Sequence, residues 1–248
     1  MTIATFKRFE KKFLVNHAQY NEIFPTLLEC MRFDKFCKDG QEYTIYNVYY
    51  DTDNSSVIRH SLSKPYFKEK LRLRTYSNII SPNTTVFLEL KKKINGLVTK
   101  RRATLSLAEA YNYLEHGIRP VSMDYLTGQV LNEIDYFRQI NKVKPAAYIS
   151  YDRKALFGLD DKEFRITFDR NIISRCDNVN LEKGRFGEDL LSPGMYLMEI
   201  KVSHAFPLWL ANLLSSHEIY ATSYSKYGQL YKDCLLNTDN AYIMAKAM

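Results

Sequence analysis

The sequence predicts an α+β protein in which an antiparallel β-sheet closes into a barrel and helices pack on the outside. Three observations carry this. Stretches that alternate apolar and polar residues recur along the chain, the period of a strand with one buried face. The polar positions of those stretches are nearly all Arg, Lys or Glu, not the Thr, Ser and Gln of an ordinary solvated face. Between the strands lie segments with apolar residues at helical spacing. Closing such a sheet puts the charged face inside and leaves the apolar face for the helices to cover. The plain alternative is an open sheet with one charged face in water.

With 248 residues the chain can bury a full core, and it reads as a single domain over 1–248. A net charge of +7 favours an anionic partner. Cys30, Cys37, Cys176 and Cys234 form no CxxC pair, and no histidine stands at zinc-finger spacing, so they read as reduced intracellular thiols. The first twelve residues are polar and charged, unlike a signal peptide, and no apolar run is long enough to span a membrane. A cytoplasmic protein is expected, with room for a membrane-bound partner.

The elements follow in order. Arg8 to Leu14 alternates as a first strand, with Glu10 and Lys12 on its polar face. His17 to Met31 is helical, with Pro25 as a kink or late start. Gln41 to Asp51 is rich in Tyr, Thr, Ile and Val and reads as a strand ended by Asp51-Thr52-Asp53-Asn54. A short helix or loop runs to Leu62. The next strand, about Phe67 to Tyr76, sets Leu71 and Leu73 against Lys70, Arg72 and Arg74. Those three cations project in one row within about 14 Å, at ~3.4 Å rise per residue. Asn95-Gly96 then joins two alternating segments, Thr85 to Lys93 and Leu97 to Leu105, as a two-residue hairpin. That turn pairs Ile94 with Leu97, Lys91 with Lys100 and Glu89 with Arg102.

Ser106 to Gly117 is a helix or turn with a capping sequence at Ser106 and Glu109, and Ser122 to Ile140 is a longer helix. Pro145 opens a strand through Arg153, and Phe164 to Asp169 is another, with Arg165, Thr167 and Asp169 on one face. Asn171 to Pro193 lacks pattern and reads as a long loop. Met195 to Val202 is a strand carrying Glu199 and Lys201 on one face. Phe206 to His217 is an amphipathic helix, and Tyr220 to Leu236 leads into a last helix before a mobile tail from Asn237.

Lys91 opposite Lys100 is a like-charge cross-strand pair and destabilises unless an anion lies between. A barrel lined with cations repels itself when empty, so its natural occupant is a multiply charged anion. Arg offers forked donors to phosphate oxygens, and Lys a compact charge. The glutamates on these faces, Glu10, Glu89 and Glu199, offer hard oxygen ligands for Mg²⁺ or Mn²⁺, ions that bridge phosphates. Glu10 reads equally as a salt-bridge partner of its neighbours. The five histidines are scattered and read as structural or surface groups, and Lys92 as exposed.

These residues resemble the VTC-type polyphosphate polymerase domain of the CYTH, or triphosphate tunnel metalloenzyme, superfamily. The resemblance rests on Arg8-Phe9-Glu10-Lys11-Lys12-Phe13, Tyr50-Asp51-Thr52, Lys70-Leu71-Arg72-Leu73-Arg74, Leu88-Glu89-Leu90-Lys91, Thr99-Lys100-Arg101-Arg102, Tyr151-Asp152-Arg153, Arg165 to Asp169, Met198-Glu199-Ile200-Lys201 and Ser225-Lys226-Tyr227. It implies a closed eight-stranded antiparallel tunnel in which the γ-phosphate of ATP moves onto a growing inorganic polyphosphate chain. Taken with the strand faces, it implies catalytic contacts from Arg72, Arg74, Lys91, Arg165 and Lys201. Substrate binding would fall to Lys12, Lys70, Lys100, Arg102, Arg153, Ser225 and Lys226. Glu199 and Glu10 would carry Mn²⁺ or Mg²⁺.

Hydrolytic members of the superfamily open with Glu-x-Glu-x-Lys, whereas Arg8 gives Arg-x-Glu-x-Lys here, which weakens a hydrolase reading. The alternatives are an inorganic or nucleoside triphosphatase on the same tunnel and a non-catalytic polyphosphate-binding module. Nucleic acid is not expected, because the tyrosines do not interleave with the cations as a stacking surface would require.

Overall fold

A computed structural model describes residues 9–95, 97–121, 124–161, 163–203 and 205–234. Arg8, Gly96, Ser122, His204 and the tail from Asn237, all used in the sequence reading, lie outside these residues. The chain starts with β1 (Phe9–Asn16), α1 (His17–Cys30) and β2 (Met31–Phe33), followed by β3 (Tyr43–Asp51) and α2 (Ser56–Leu62). Three strands come next, β4 (Phe67–Thr75), β5 (Thr85–Ile94) and β6 (Leu97–Ser106), then α3 (Leu107–His116) and α4 (Tyr125–Asn141). β7 (Lys144–Gly158), β8 (Arg165–Arg175), β9 (Glu188–Asp189), β10 (Met195–Val202), α5 (Leu208–Ser216) and β11 (Ala221–Thr222) complete the series. Residues 226–234 form a further helix.

The strands make one antiparallel sheet in the order β11-β1-β10-β8-β7-β3-β4-β5-β6, with β2 added to β7 and β9 to β8. This corrects the closed eight-stranded barrel. The sheet has eleven strands, and among the described residues no ladder joins β6 to β1. At two positions, Lys12↔Thr222 and Phe13↔Ala221, the outer edge of β1 pairs with β11 instead. The sheet still curls upon itself: Lys91 of β5 comes within 3.9 Å of Glu10 of β1, although seven strands of the path span that distance.

The hairpin forms in the expected register, with Ile94↔Leu97, Lys91↔Lys100 and Glu89↔Arg102, and Asn95 has the positive φ of 46° that the turn demands. Ser106 and Glu109 make the reciprocal cap of α3, with Glu109 Oε2 accepting from Ser106 N at 2.8 Å. α1 runs through Pro25 and ends at Cys30 because Met31 turns extended and enters β2.

The outer face is apolar and covered by helices. Leu71, Leu73, Leu88 and Leu90 are fully buried under α3 and α4. α1 and α5 cover the β1, β8 and β10 side through Ile23, Leu27, Leu210 and Leu214. On the inner face, at one end of the curl, Ile58 of α2 and Tyr227 and Leu230 of the last helix pack with Ile45 and Ile149. Among the described residues no helix is long and apolar enough to cross a membrane.

Candidate functional site

The inner face of the curled sheet encloses a cavity of about 620 Å³. All the residues picked from the sequence line it: Glu10 and Lys12 from β1, Lys70, Arg72 and Arg74 from β4, Lys91 from β5, Lys100 and Arg102 from β6, Arg153 from β7, Arg165 from β8, Glu199 and Lys201 from β10, and Ser225 and Lys226 at the start of the last helix. Alternation is the cause, because each strand that turns its leucines and isoleucines outward must turn these groups inward. Lys92, one position out of phase with Lys91, points away and pairs with Glu69 and with Glu133 of α4. None of the described histidines lines the cavity.

The cations are not equivalent. One group is clamped by Glu89, which is 0% exposed and lies in register between Arg72 and Arg102. Arg72 Nε donates to Glu89 Oε2 at 2.6 Å and Arg102 Nε to Oε1 at 2.8 Å, with Lys100 Nζ 3.4 Å from Oε1. Burial opposes the carboxylate charge, but Arg72, Arg74, Lys100 and Arg102 outweigh it and hold Glu89 well below the usual carboxylate range. Arg74 is oriented by Asn47 Oδ1 at 2.8 Å and the Tyr151 hydroxyl at 3.0 Å.

A second group is clamped by the buried Asp169. Arg153 makes a two-pronged contact with it at 2.6 and 2.7 Å, and Lys226 Nζ lies 2.5 Å from its Oδ2. Glu199 is the hub of a third group, with Lys12 at 3.2 Å, Lys226 at 3.5 Å, Lys201 at 3.6 Å and Arg153 at 4.0 Å. Burial works against its ionisation, and these four cations reverse the effect. Glu10 is lowered in the same way, against burial and the repulsion of Glu199, by Lys91, Lys201 and Lys12. At the far side Arg165 Nη2 donates to Asp34 at 2.8 Å.

Lys70 differs from all of these. Burial, then Lys91, Lys68 and Lys12, push its pKa down to about 7. It lies across the ladder from Lys91, which in turn faces Lys100. Burial also brings Lys100 down to about 8 despite Glu89, and Lys201 down to about 8 despite Glu199 and Glu10. Eleven lining side chains are Lys or Arg (Lys12, Lys70, Arg72, Arg74, Lys91, Lys100, Arg102, Arg153, Arg165, Lys201, Lys226), against four carboxylates within or behind the wall, Glu10, Glu89, Asp169 and Glu199.

Glu89 and Asp169 are site residues that the sequence reading saw on polar faces but did not single out. Their signal was available: each falls directly across a ladder from an inward-facing arginine. Asp34 and Phe36, which also belong to the site, sit in a loop and give no such signal.

Among the described residues no three His, Cys, Asp or Glu side chains gather as a metal cluster. Glu10 and Glu199 are hard, deprotonated oxygen donors on adjacent strands. They fit a divalent ion that takes most of its ligands from phosphate and water, the usual habit of Mg²⁺, and not a free-standing all-protein site.

A curled antiparallel sheet around such a cavity defines a protein of the CYTH-like triphosphate tunnel class. A solved structure from Bacillus halodurans, provisionally named an adenylate cyclase, matches it with a TM-score of 0.51 at 16% identity, over 88% of this chain and 95% of that one. Another so named, from Vibrio parahaemolyticus, matches with a TM-score of 0.45 at 13% identity, over 92% and 98% of the two chains. No curated protein matches the chain. Within the class, the chain belongs to the VTC domain family, whose model matches residues 7–234.

Proposed function

We propose that the protein is a metal-dependent polyphosphate polymerase that transfers the γ-phosphoryl group of ATP to the end of an inorganic polyphosphate chain. The observation that carries this reading is the charge of the cavity wall, eleven Lys and Arg side chains against four carboxylates. Glu10, Glu89, Asp169 and Glu199 are each held in the charged form by adjacent cations. A lining with that excess of positive charge suits a long anionic acceptor. A terminal phosphate oxygen of polyphosphate is already anionic and needs no base.

In the proposed step a terminal oxygen of the acceptor forms a bond to Pγ as the bond from Pγ to the β,γ-bridging oxygen breaks. ADP leaves, and the chain grows by one phosphate. Phosphoryl transfer is mostly positioning and charge neutralisation, so no side-chain nucleophile is called for. Arg72, Arg74, Lys91, Arg165 and Lys201 surround the transferring group. Lys12, Lys70, Lys100, Arg102, Arg153, Ser225 and Lys226 hold the flanking phosphates. Glu199 and Glu10 would hold Mn²⁺ or Mg²⁺, which when bound neutralises charge across neighbouring phosphate oxygens. The reading assigns the reaction to the cytoplasm, where ATP is at hand.

Incubation of the purified protein with ATP and Mn²⁺ tests the proposal. Long phosphate chains together with ADP support it. Free phosphate alone points to a triphosphatase, and tight polyphosphate binding without turnover points to a binding module.

A further inference from the structure

The two ends of the cavity differ in chemistry. At the end where β3 begins and β4 stops, three aromatic rings line the wall: Tyr43 opens β3, Tyr76 follows Thr75, and Phe36 sits in the loop between β2 and β3. Phe36 and Tyr76 are parallel to within 1° with centroids 6.1 Å apart, and Tyr43 lies 5.7 Å from Phe36 and 6.1 Å from Tyr76. Phe36 is 56% exposed although it borders a charged cavity.

This exposed ring is held in place. Asp34 Oδ1 accepts from Phe36 N at 2.9 Å and from Cys37 N at 3.1 Å. Its Oδ2 accepts from Arg165 Nη2 at 2.8 Å and the Tyr43 hydroxyl at 3.4 Å. One carboxylate thus ties the loop that carries Phe36 to a cation of the phosphate-facing set. The Arg74 guanidinium lies 5.9 Å from the centre of the Tyr76 ring, and Arg102 Nη2 is 3.5 Å from its hydroxyl. Aromatic faces therefore pass to arginines within the length of one side chain.

Among the described residues the other end has no such open platform. Tyr227 donates to Asp51, the last residue of β3, so it stands at the opposite end of that strand. Its ring is stacked on Tyr49 at 5.0 Å and faced by Lys70 at 5.9 Å.

We propose that Phe36, Tyr43 and Tyr76 form a stacking site for the nucleobase of a nucleoside triphosphate. The donor then lies with its base at this end and its phosphates directed toward Arg74, Arg102, Arg153 and Arg165. The end bearing Lys70 and Ser225 is left to the phosphate chain, and Lys226, which shares Asp169 with Arg153, stands between the two. This assignment rests on the phosphoryl-transfer reading given above. Stacking uses the face of a base and not its edge, and both Asp34 oxygens are already engaged. The site consequently takes adenine and guanine alike and prefers either to a pyrimidine through larger ring area.

The test compares binding of adenylyl imidodiphosphate and of inorganic tripolyphosphate to the whole protein by calorimetry, in the wild type and in Phe36→Ala and Phe36→Tyr. Loss of one stack should weaken the nucleotide analogue about 10-fold in Phe36→Ala. Tripolyphosphate affinity should hold, and Phe36→Tyr should restore nucleotide binding. Equal weakening of both ligands in Phe36→Ala, or no weakening of the nucleotide, overturns the stacking site while the anion cavity stands. A wild type that binds neither ligand overturns the phosphoryl-transfer reading, and this assignment with it.

Discussion

Replacing Glu89 by Gln removes one negative charge from the cavity wall and keeps the side chain's shape. Glu89 has 0% exposure, and Arg72 and Arg102 both close on it, with 16% and 30% of their side chains exposed. Breaking a buried ion pair from one side costs about 3–5 kcal/mol, because the partner's charge stays behind. The arginines here reach the lumen and its solvent, so the lower end applies, about 3 kcal/mol. For a chain of this length that corresponds to a fall in Tm of roughly 6–12 °C. Tripolyphosphate should recover more of the loss in the variant than it adds to the wild type, since it supplies the missing counter-charge. Thermal denaturation with and without tripolyphosphate reads both effects. The folded pKa of Glu89 lies below its ordinary value of 4.5, so its contribution is complete above pH 4.5 and declines as the pH falls below that value. A variant with wild-type Tm, or one that tripolyphosphate stabilises no more than the wild type, refutes the clamp.

Three further outcomes are expected. Arg72→Ala should lower polymerisation by at least about 100-fold, the scale of a lost transition-state charge contact, with the circular dichroism spectrum preserved; ordinary turnover removes Arg72 from the site. Glu199→Gln should lose turnover and its response to Mn²⁺ while still binding tripolyphosphate, and a normal Mn²⁺ titration of activity contradicts the metal role. Lys70, with a pKa near 7 against an ordinary 10.5, is largely neutral at pH 8 in the free protein. Tripolyphosphate binding at pH 8 should draw a proton onto it, seen as calorimetric heats that vary with buffer ionisation enthalpy; Lys70→Met should diminish that uptake. The same shift makes Lys70 cost the fold less as pH rises from about 7 to 10.5, because over that window the unfolded chain holds a proton that the folded chain has released.

The inward faces were legible because period-two alternation fixes which side chains share a face, and Asn95-Gly96 fixes the register of one pair. Arg72, Lys91 and Lys201 could be placed on one surface by that reasoning alone. Closure was not legible. Alternation says nothing about whether the first and last strands meet, and the three added strands, β2, β9 and β11, have two or three residues each, too few to show a period. The second half of β8 lacks a strand pattern in the sequence for a different reason. Asn171 adopts a φ of +48° beside a register shift against β7, which breaks the phase of the pattern before Ile172 and Ile173. Asp34 binds Arg165 across 131 residues of chain, and a contact of that kind leaves no local trace in the sequence.

Lys91 of β5 meets Glu10 of β1 through charge at 3.9 Å, and among the described residues no backbone ladder joins those two flanks of the sheet. Dissolved salt screens a contact of that kind far more than it weakens a row of peptide hydrogen bonds. The ionic strength of the medium therefore bears on how tightly the curl is drawn in.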